Sequence, residues 1–142
     1  MPTLPWTTVN APAPEVEALV MASRLEVRSF SDVLRFFLPS LATWKQVRGA
    51  PGAYGASLIA QHLKRTFWTL SAWEDKEALY RYARTEPHRS VMSGLRSTMS
   101  RSVFTFWQIP AADLPLDWAE ARRRLAEQER ADAQPATENT TD

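Results

Sequence analysis

The chain has 142 residues, no cysteine, and seventeen basic against sixteen acidic side chains, for a formal net charge of +1. That length suits one domain with a real core. The missing cysteines exclude disulfides, thiolate nucleophiles and Cys-based zinc or iron–sulfur sites, and the balanced charge supplies no global field for nucleic acid or an anionic membrane. The start, MPTLPWTTVNAPAPE, lacks a basic residue followed by an apolar run, and no segment approaches the ~20 apolar residues of a membrane span. A soluble cytoplasmic protein is therefore expected, with no nucleic-acid and no membrane partner. Six Trp, six Phe and three Tyr are a heavy aromatic load for this size, and such side chains serve pockets and interfaces as well as cores.

Residues 1–15 are rich in Pro and small side chains and read as an extended N-terminal arm, with Trp6 as a possible anchor. Ala18 to Val27 has the apolar content of a buried strand and carries Ser23 and Arg24. Ser29 or Ser31 can cap the next helix, in which Phe30, Val33, Leu34, Phe37, Leu38, Leu41 and Trp44 recur at helical spacing. Pro39 inside that pattern predicts a kink or break near Leu38, and Gly49, Pro51 and Gly52 end the helix.

Ala53 to Leu63 is a small-residue strand, and the basic link Lys64-Arg65 turns it back into Thr66–Trp73 as a hairpin. Along this second strand Thr66, Trp68, Leu70 and Ala72 share one side, and Phe67, Thr69, Ser71 and Trp73 the other. Both sides hold large aromatics, so both need a cover. Asp75 caps a helix over Lys76–Arg84, and Glu86-Pro87 opens a second short helix running to about Ser97. Arg101 to Ile109 is the last strand, with Phe104 and Phe106 on one side and Val103, Thr105, Trp107 and Ile109 on the other. An amphipathic helix follows from near Asp117, with Trp118, Ala121 and Leu125 on one face, and the charged run Arg122–Arg124 reads as its solvated side. The polar residues 133–142 read as a disordered tail.

Strand, helix, strand, strand, helix, strand is the split arrangement of ferredoxin-like α+β domains: a four-stranded antiparallel sheet with helices on one face. The domain is expected over residues 16–110, with a C-terminal helix over 111–132. The other face is too apolar for water, and burial against a second copy, giving a homodimer, is one solution.

The motif FWTLSAWEDKEALYRYARTEPHRSVM, residues 67–92, resembles the dimeric α+β barrel superfamily, in its antibiotic biosynthesis monooxygenase-like and DUF3291-type branch. The resemblance implies a dimeric α/β barrel and the activity of a cofactor-independent monooxygenase on an aromatic or polyketide-like small molecule. Positions that carry function in similar heme-degrading members fall on Ser23, Tyr82 and Met92 and depart from that pattern. Anthrone oxygenases share the strand-ending Trp73 but carry Asn where this chain has Thr69.

His88, Arg24 and Tyr82 are the candidate catalytic residues, and Trp68, Trp73, Phe104, Phe106, Ser23 and Met92 the candidate pocket. In the oxygenase reading His88 or Tyr82 moves protons, Arg24 steadies a substrate anion and the Trp residues shape the cavity. Each has a plainer alternative: His88 bonded at a helix edge, Arg24 paired with Glu26, Glu74 or Asp75, and the aromatics as core or interface. With only His62 besides His88, no two-His metal motif exists and no metal is expected. No cofactor is expected in the leading reading. A non-catalytic ligand-binding or dimerisation module, and a heme enzyme with His88 as ligand, stand as alternatives.

Overall fold

Alternating apolar positions build an antiparallel sheet, and the computed structural model describes residues 3–13, 15–61 and 63–133 of the chain. Its strands are β1 (Thr3–Thr8), β2 (Glu17–Val27), β3 (Ala53–Gln61), β4 (Thr66–Trp73) and β5 (Met99–Pro110). The helices are α1 (Phe30–Arg48), α2 (Lys76–Arg84), α3 (His88–Arg96) and α4 (Trp118–Ala133). The sheet order is β1-β3-β4-β2-β5, every neighbour antiparallel. This is the expected ferredoxin-like α+β domain with one strand more than the four expected.

The extra strand is the Pro-rich arm. Pro5 cannot donate to a ladder, so β1 lies at the sheet edge and its register with β3 shifts between Leu4 and Thr7. Trp6 lies so close to Gly55 that an added Cβ there would come within 2.4 Å of the Trp6 ring. Only glycine leaves room for the indole.

Helix α1 begins on Ser29, whose hydroxyl accepts from the Asp32 amide at 3.3 Å, and α2 on Asp75, whose carboxylate accepts from Ala78 at 2.8 Å. Of the kink or break expected near Leu38, the break does not occur: α1 runs from Phe30 to Arg48 with Pro39 inside it. The carbonyl that loses its helical donor belongs to Arg35, an exposed residue whose backbone can turn to water. At the other end Gly52 takes φ +81° in the turn into β3, and a Cβ there would meet Ala78 at 2.6 Å.

The register fixes which side chains share a face. Val20 opposes Ala72 on β4 and Trp107 on β5, and these with Leu70 and Val103 form one face of the sheet. Helix α4 covers it through Ala121 and Leu125, both fully buried. Trp118 donates from Nε1 to Ser57 Oγ at 3.1 Å, and Ser57 donates to the Leu4 carbonyl at 2.8 Å, tying α4, β3 and β1 together. The face expected to be buried against a second copy is thus closed by the same chain. The arginine run keeps the solvated face expected of it, with Arg122 and Arg123 exposed and Arg123 and Arg124 paired with Glu120, while Arg122 also lies 5.2 Å from the Trp68 ring centre and Arg124 4.6 Å from that of Trp107.

The opposite face packs under α1, α2 and α3. Leu25, Val27 and Phe67 meet Val33 and Leu95, while Trp73 and Ala53 meet Val47, Ala78 and Leu79. The helices stop short of β5, so Phe104 and Phe106 on this side stay exposed. His62 and the expected tail, apart from Ala133, lie outside the described residues. Among the described residues no helix is long and apolar enough to cross a membrane.

Candidate functional site

Between the sheet and the three helices lies an apolar cavity of about 120 Å³. Its walls come from Met21 and Leu25 on β2, Thr69 and Ser71 on β4, and Trp44 on α1. Trp73, Tyr82, His88 and Met92 complete it, so four of the residues singled out in the sequence meet around one space.

Three aromatic rings form a row along the wall. Trp73 and Tyr82 have ring centres 5.1 Å apart at 39°, and Tyr82 and His88 4.7 Å apart at 50°, tilted contacts of the favourable kind. Each ring is also pinned by its polar atom. Trp73 Nε1 donates to Ser71 Oγ at 2.8 Å, and the Tyr82 hydroxyl donates to the Thr43 carbonyl at 2.9 Å.

His88 is held at two points. Its amide donates to Gln46 Oε1 at 2.8 Å, and Gln46 Nε2 in turn donates to the carbonyls of Tyr82 and Thr85 at 3.1 and 3.2 Å. The ring Nδ1 is 3.2 Å from the Ala83 carbonyl. A carbonyl only accepts, so Nδ1 carries the proton and Nε2 holds the free lone pair, the assignment that satisfies this bond. Burial pushes the imidazole pKa below its usual value, the Ala83 bond opposing the shift in part. His88 is therefore neutral near pH 7 with a basic Nε2. Burial pushes the Tyr82 phenol in the opposite direction, upward, against the Thr43 bond, so Tyr82 stays protonated.

Hydroxyls supply the remaining polarity. Ser23, fully buried on β2, makes a short hydrogen bond to Thr69. When Ser23 donates, the Thr69 hydroxyl hydrogen is left for a guest in the cavity.

Arg24 does not join this site. It points to the other side of the sheet because β2 alternates, and there it pairs with Glu26 at 2.6 Å and Glu129 at 3.1 Å beside the Trp68 ring. Glu26 was among its expected salt-bridge partners; Glu129, from α4, was not. Trp68 faces α4 with Arg24, its Nε1 bonded to Gln61 Oε1 at 2.9 Å, and Phe104 and Phe106 lie outside the cavity. Sequence reasoning missed Gln46 and Thr43, which hold His88 and Tyr82. Neither has a local signal, since the partners are 36 to 42 residues away.

A porphyrin does not fit this space. Cofactor-sized ligands need cavities of ~300 Å³ or more, well above the 120 Å³ here, and the Tyr82 ring covers one side of the imidazole. Among the described residues no group of three or more His, Asp or Glu side chains could hold a metal ion.

Residues 39–137 match the model of a family described as a domain of unknown function, DUF3291. No curated protein matches the chain. Among solved structures, a putative antibiotic biosynthesis monooxygenase from Nitrosomonas europaea superposes with a TM-score of 0.60 at 11% identity, over 70% of this chain and 94% of that one. SnoaB, a cofactor-independent oxygenase from Streptomyces nogalater, gives 0.53 at 16% identity over 71% and 100%. A conserved protein from Methanosarcina mazei Go1 gives 0.58 at 11% over 66% and 94%. At such identities the likeness is one of fold.

Proposed function

The chain belongs to the DUF3291 family and shares the ferredoxin-like fold of antibiotic biosynthesis monooxygenase-like proteins, and from that premise we propose that it is a cofactor-independent oxygenase of a compact, acidic, one-ring aromatic molecule, with His88 Nε2 as the base. The observation that carries this reading is a neutral imidazole, its Nδ1 tied to Ala83 and its Nε2 free, in the wall of an apolar cavity. The residues that line the cavity belong to one chain.

Size sets the substrate class. An engineered cavity of ~150 Å³ takes up benzene, so about 120 Å³ suits a single ring and is too small for the fused rings of a polyketide quinone. Acidity narrows it further. Moving a proton from an ordinary phenol, with a pKa of about 10, to an imidazole below 6.5 costs roughly 5 kcal/mol. A phenol acidified by an electron-withdrawing ring substituent lowers that cost.

The reaction then runs as follows. His88 Nε2 takes the phenolic proton, and the phenolate passes one electron to dissolved O₂. The phenoxyl and superoxide radicals join at the para carbon, and the new peroxide takes the proton back from the imidazolium. Loss of the para C–H proton with cleavage of the O–O bond releases water and leaves a quinone, so phenol plus O₂ gives quinone plus water. Thr69 is placed to donate to the anion, and the apolar walls exclude water from the radical pair.

The test is oxygen uptake by the purified protein with a panel of one-ring phenols whose para position carries hydrogen. Uptake by the wild type that falls 10²–10⁴-fold in His88→Gln supports the reading; equal uptake in the variant refutes it. Binding of the panel with no uptake by the wild type replaces it with a ligand-binding module.

A further inference from the structure

Although its net charge is only +1, the chain segregates its charge. Residues 27–66 hold six basic side chains (Arg28, Arg35, Lys45, Arg48, Lys64 and Arg65) and one acidic, Asp32. All six basic residues are exposed, whereas Asp32 is mostly covered, bonded to Ser29 and 3.9 Å from Arg35. This stretch comprises α1 and the β3–β4 hairpin, and α1 presents an apolar stripe on its outer side. Phe30 is 56% exposed, Leu34 68% and Leu38 71%, with Leu41 continuing the row at the three- and four-residue spacing of one helix face. The hairpin turn joins the same surface: the Arg65 guanidinium lies 5.6 Å from the Phe30 ring centre, and Nη1 of Arg65 donates to the Arg28 carbonyl at 2.9 Å. Leu63, beside it, is 89% exposed.

Nothing in the fold of this chain needs these side chains outside. The core face of α1 is filled by Val33, Val47 and Trp44, and the stripe is an additional apolar surface. Exposed patches of this kind mark an interaction.

We propose that the outer face of α1 and the β3–β4 turn dock on an anionic phospholipid surface, with the leucines and Phe30 seated among the acyl chains and the rim of lysine and arginine on the headgroups. An apolar stripe edged by cations is the pattern of helices that lie in a bilayer interface. Charge decides between occupants. A second copy would bring six more cations against the same six, a repulsion at short range, while an anionic leaflet attracts each of them and the attraction adds up. The balanced overall charge does not oppose this, because at physiological salt only charges within ~8 Å of the surface count.

Co-sedimentation with vesicles tests it, using the full chain and phosphatidylcholine vesicles with and without phosphatidylserine. The expected result is binding to the serine-containing vesicles only, weakened at least about tenfold by ~0.5 M salt, as screening requires. The double substitution Leu34→Glu with Leu38→Glu is expected to abolish binding while leaving the far-UV circular dichroism unchanged, since both side chains are already largely in water. Arg35→Glu with Arg48→Glu is expected to lower binding at low salt and to flatten its salt dependence. No vesicle binding by the wild type overturns the proposal, as does binding that ignores either double substitution. A dimer of the free protein that the leucine substitutions dissolve, without vesicle binding, overturns it in favour of a contact between copies. None of these readings depends on oxygen uptake, so the lipid surface and the cavity chemistry stand or fall separately.

Discussion

Leu125→Ala tests whether α4 is part of the fold or only lies against it. Leu125 is 2% exposed and packs with Val20, Ala22, Leu70 and Val103 on the sheet. The substitution removes roughly three methylene equivalents, or about 2.4 kcal/mol at ~0.8 kcal/mol each. The hole left behind adds to that, because neighbours relax only in part, and Leu→Ala changes at such sites cost about 2–5 kcal/mol. Urea unfolding followed by tryptophan fluorescence is therefore expected to show a loss of about 3 kcal/mol with an unchanged m-value. Arg123→Ala on the same helix is the control. Its ion pairs with Glu120 and Glu127 are exposed and screened by water and salt, so the unfolding midpoint is expected to stay where it is. A loss below about 1 kcal/mol for Leu125→Ala would refute the intramolecular cover.

Further outcomes follow from the site and the sheet edge. Tyr82→Phe keeps the ring between Trp73 and His88 and deletes only the bond to Thr43; it is expected to cost about 0.5–1.5 kcal/mol in urea unfolding and to leave kcat within about threefold, whereas a drop beyond about a hundredfold would make the phenol a proton carrier. Because burial lowers the His88 pKa in the folded chain, the unfolded chain protonates first on acidification. Its contribution is full above about pH 6.5 and declines below that, by at most about 1.4 kcal/mol per pH unit, until the folded pKa is reached. His88→Gln should remove that slope from the pH dependence of urea unfolding, and an unchanged slope contradicts the burial effect. Gly55→Val would drive Trp6 off β3 and is expected to speed amide exchange along Thr3–Thr8 to the open-chain rate, while the amides of β2 and β4 keep their protection. Added hemin is expected to give no stoichiometric Soret band, since the cavity is too small; a sharp band lost in His88→Ala would contradict that volume argument.

The order of elements was legible because its signals are local. Ser29 and Asp75 cap the helices expected of them, and alternation along Thr66–Trp73 separated Phe67, Thr69, Ser71 and Trp73 from Trp68, Leu70 and Ala72 before any contact was known. What alternation alone does not contain is the cover of each face. A helix that is apolar along Trp118, Ala121 and Leu125 carries no address, so its seat on Val103 and Trp107 became visible only in the structure. Arg24 illustrates the consequence: its even-numbered place on β2 sends it to the α4 side with Glu129, away from the cavity under α1 to α3. The edge strand was hidden by its prolines, which suppress strand propensity everywhere except at an unpaired edge with a shifted register. Tyr82, His88, Trp73 and Met92, close together in sequence, line one cavity, whereas Gln46 and Thr43, the residues that hold two of them, depend on tertiary pairing and leave no trace in spacing.

The most direct test of the central claim is the imidazole nitrogen spectrum of ¹⁵N-histidine-labelled protein as a function of pH, with His88→Gln to assign the signals. The account predicts that His88 at pH 7 is the neutral tautomer with the proton on Nδ1, that it titrates below about 6.5, and that an acidic one-ring phenol shifts the Nε2 resonance. A proton resident on Nε2, or a titration at or above the ordinary histidine value, would contradict it, because the nitrogen meant to take the substrate proton would then already be occupied.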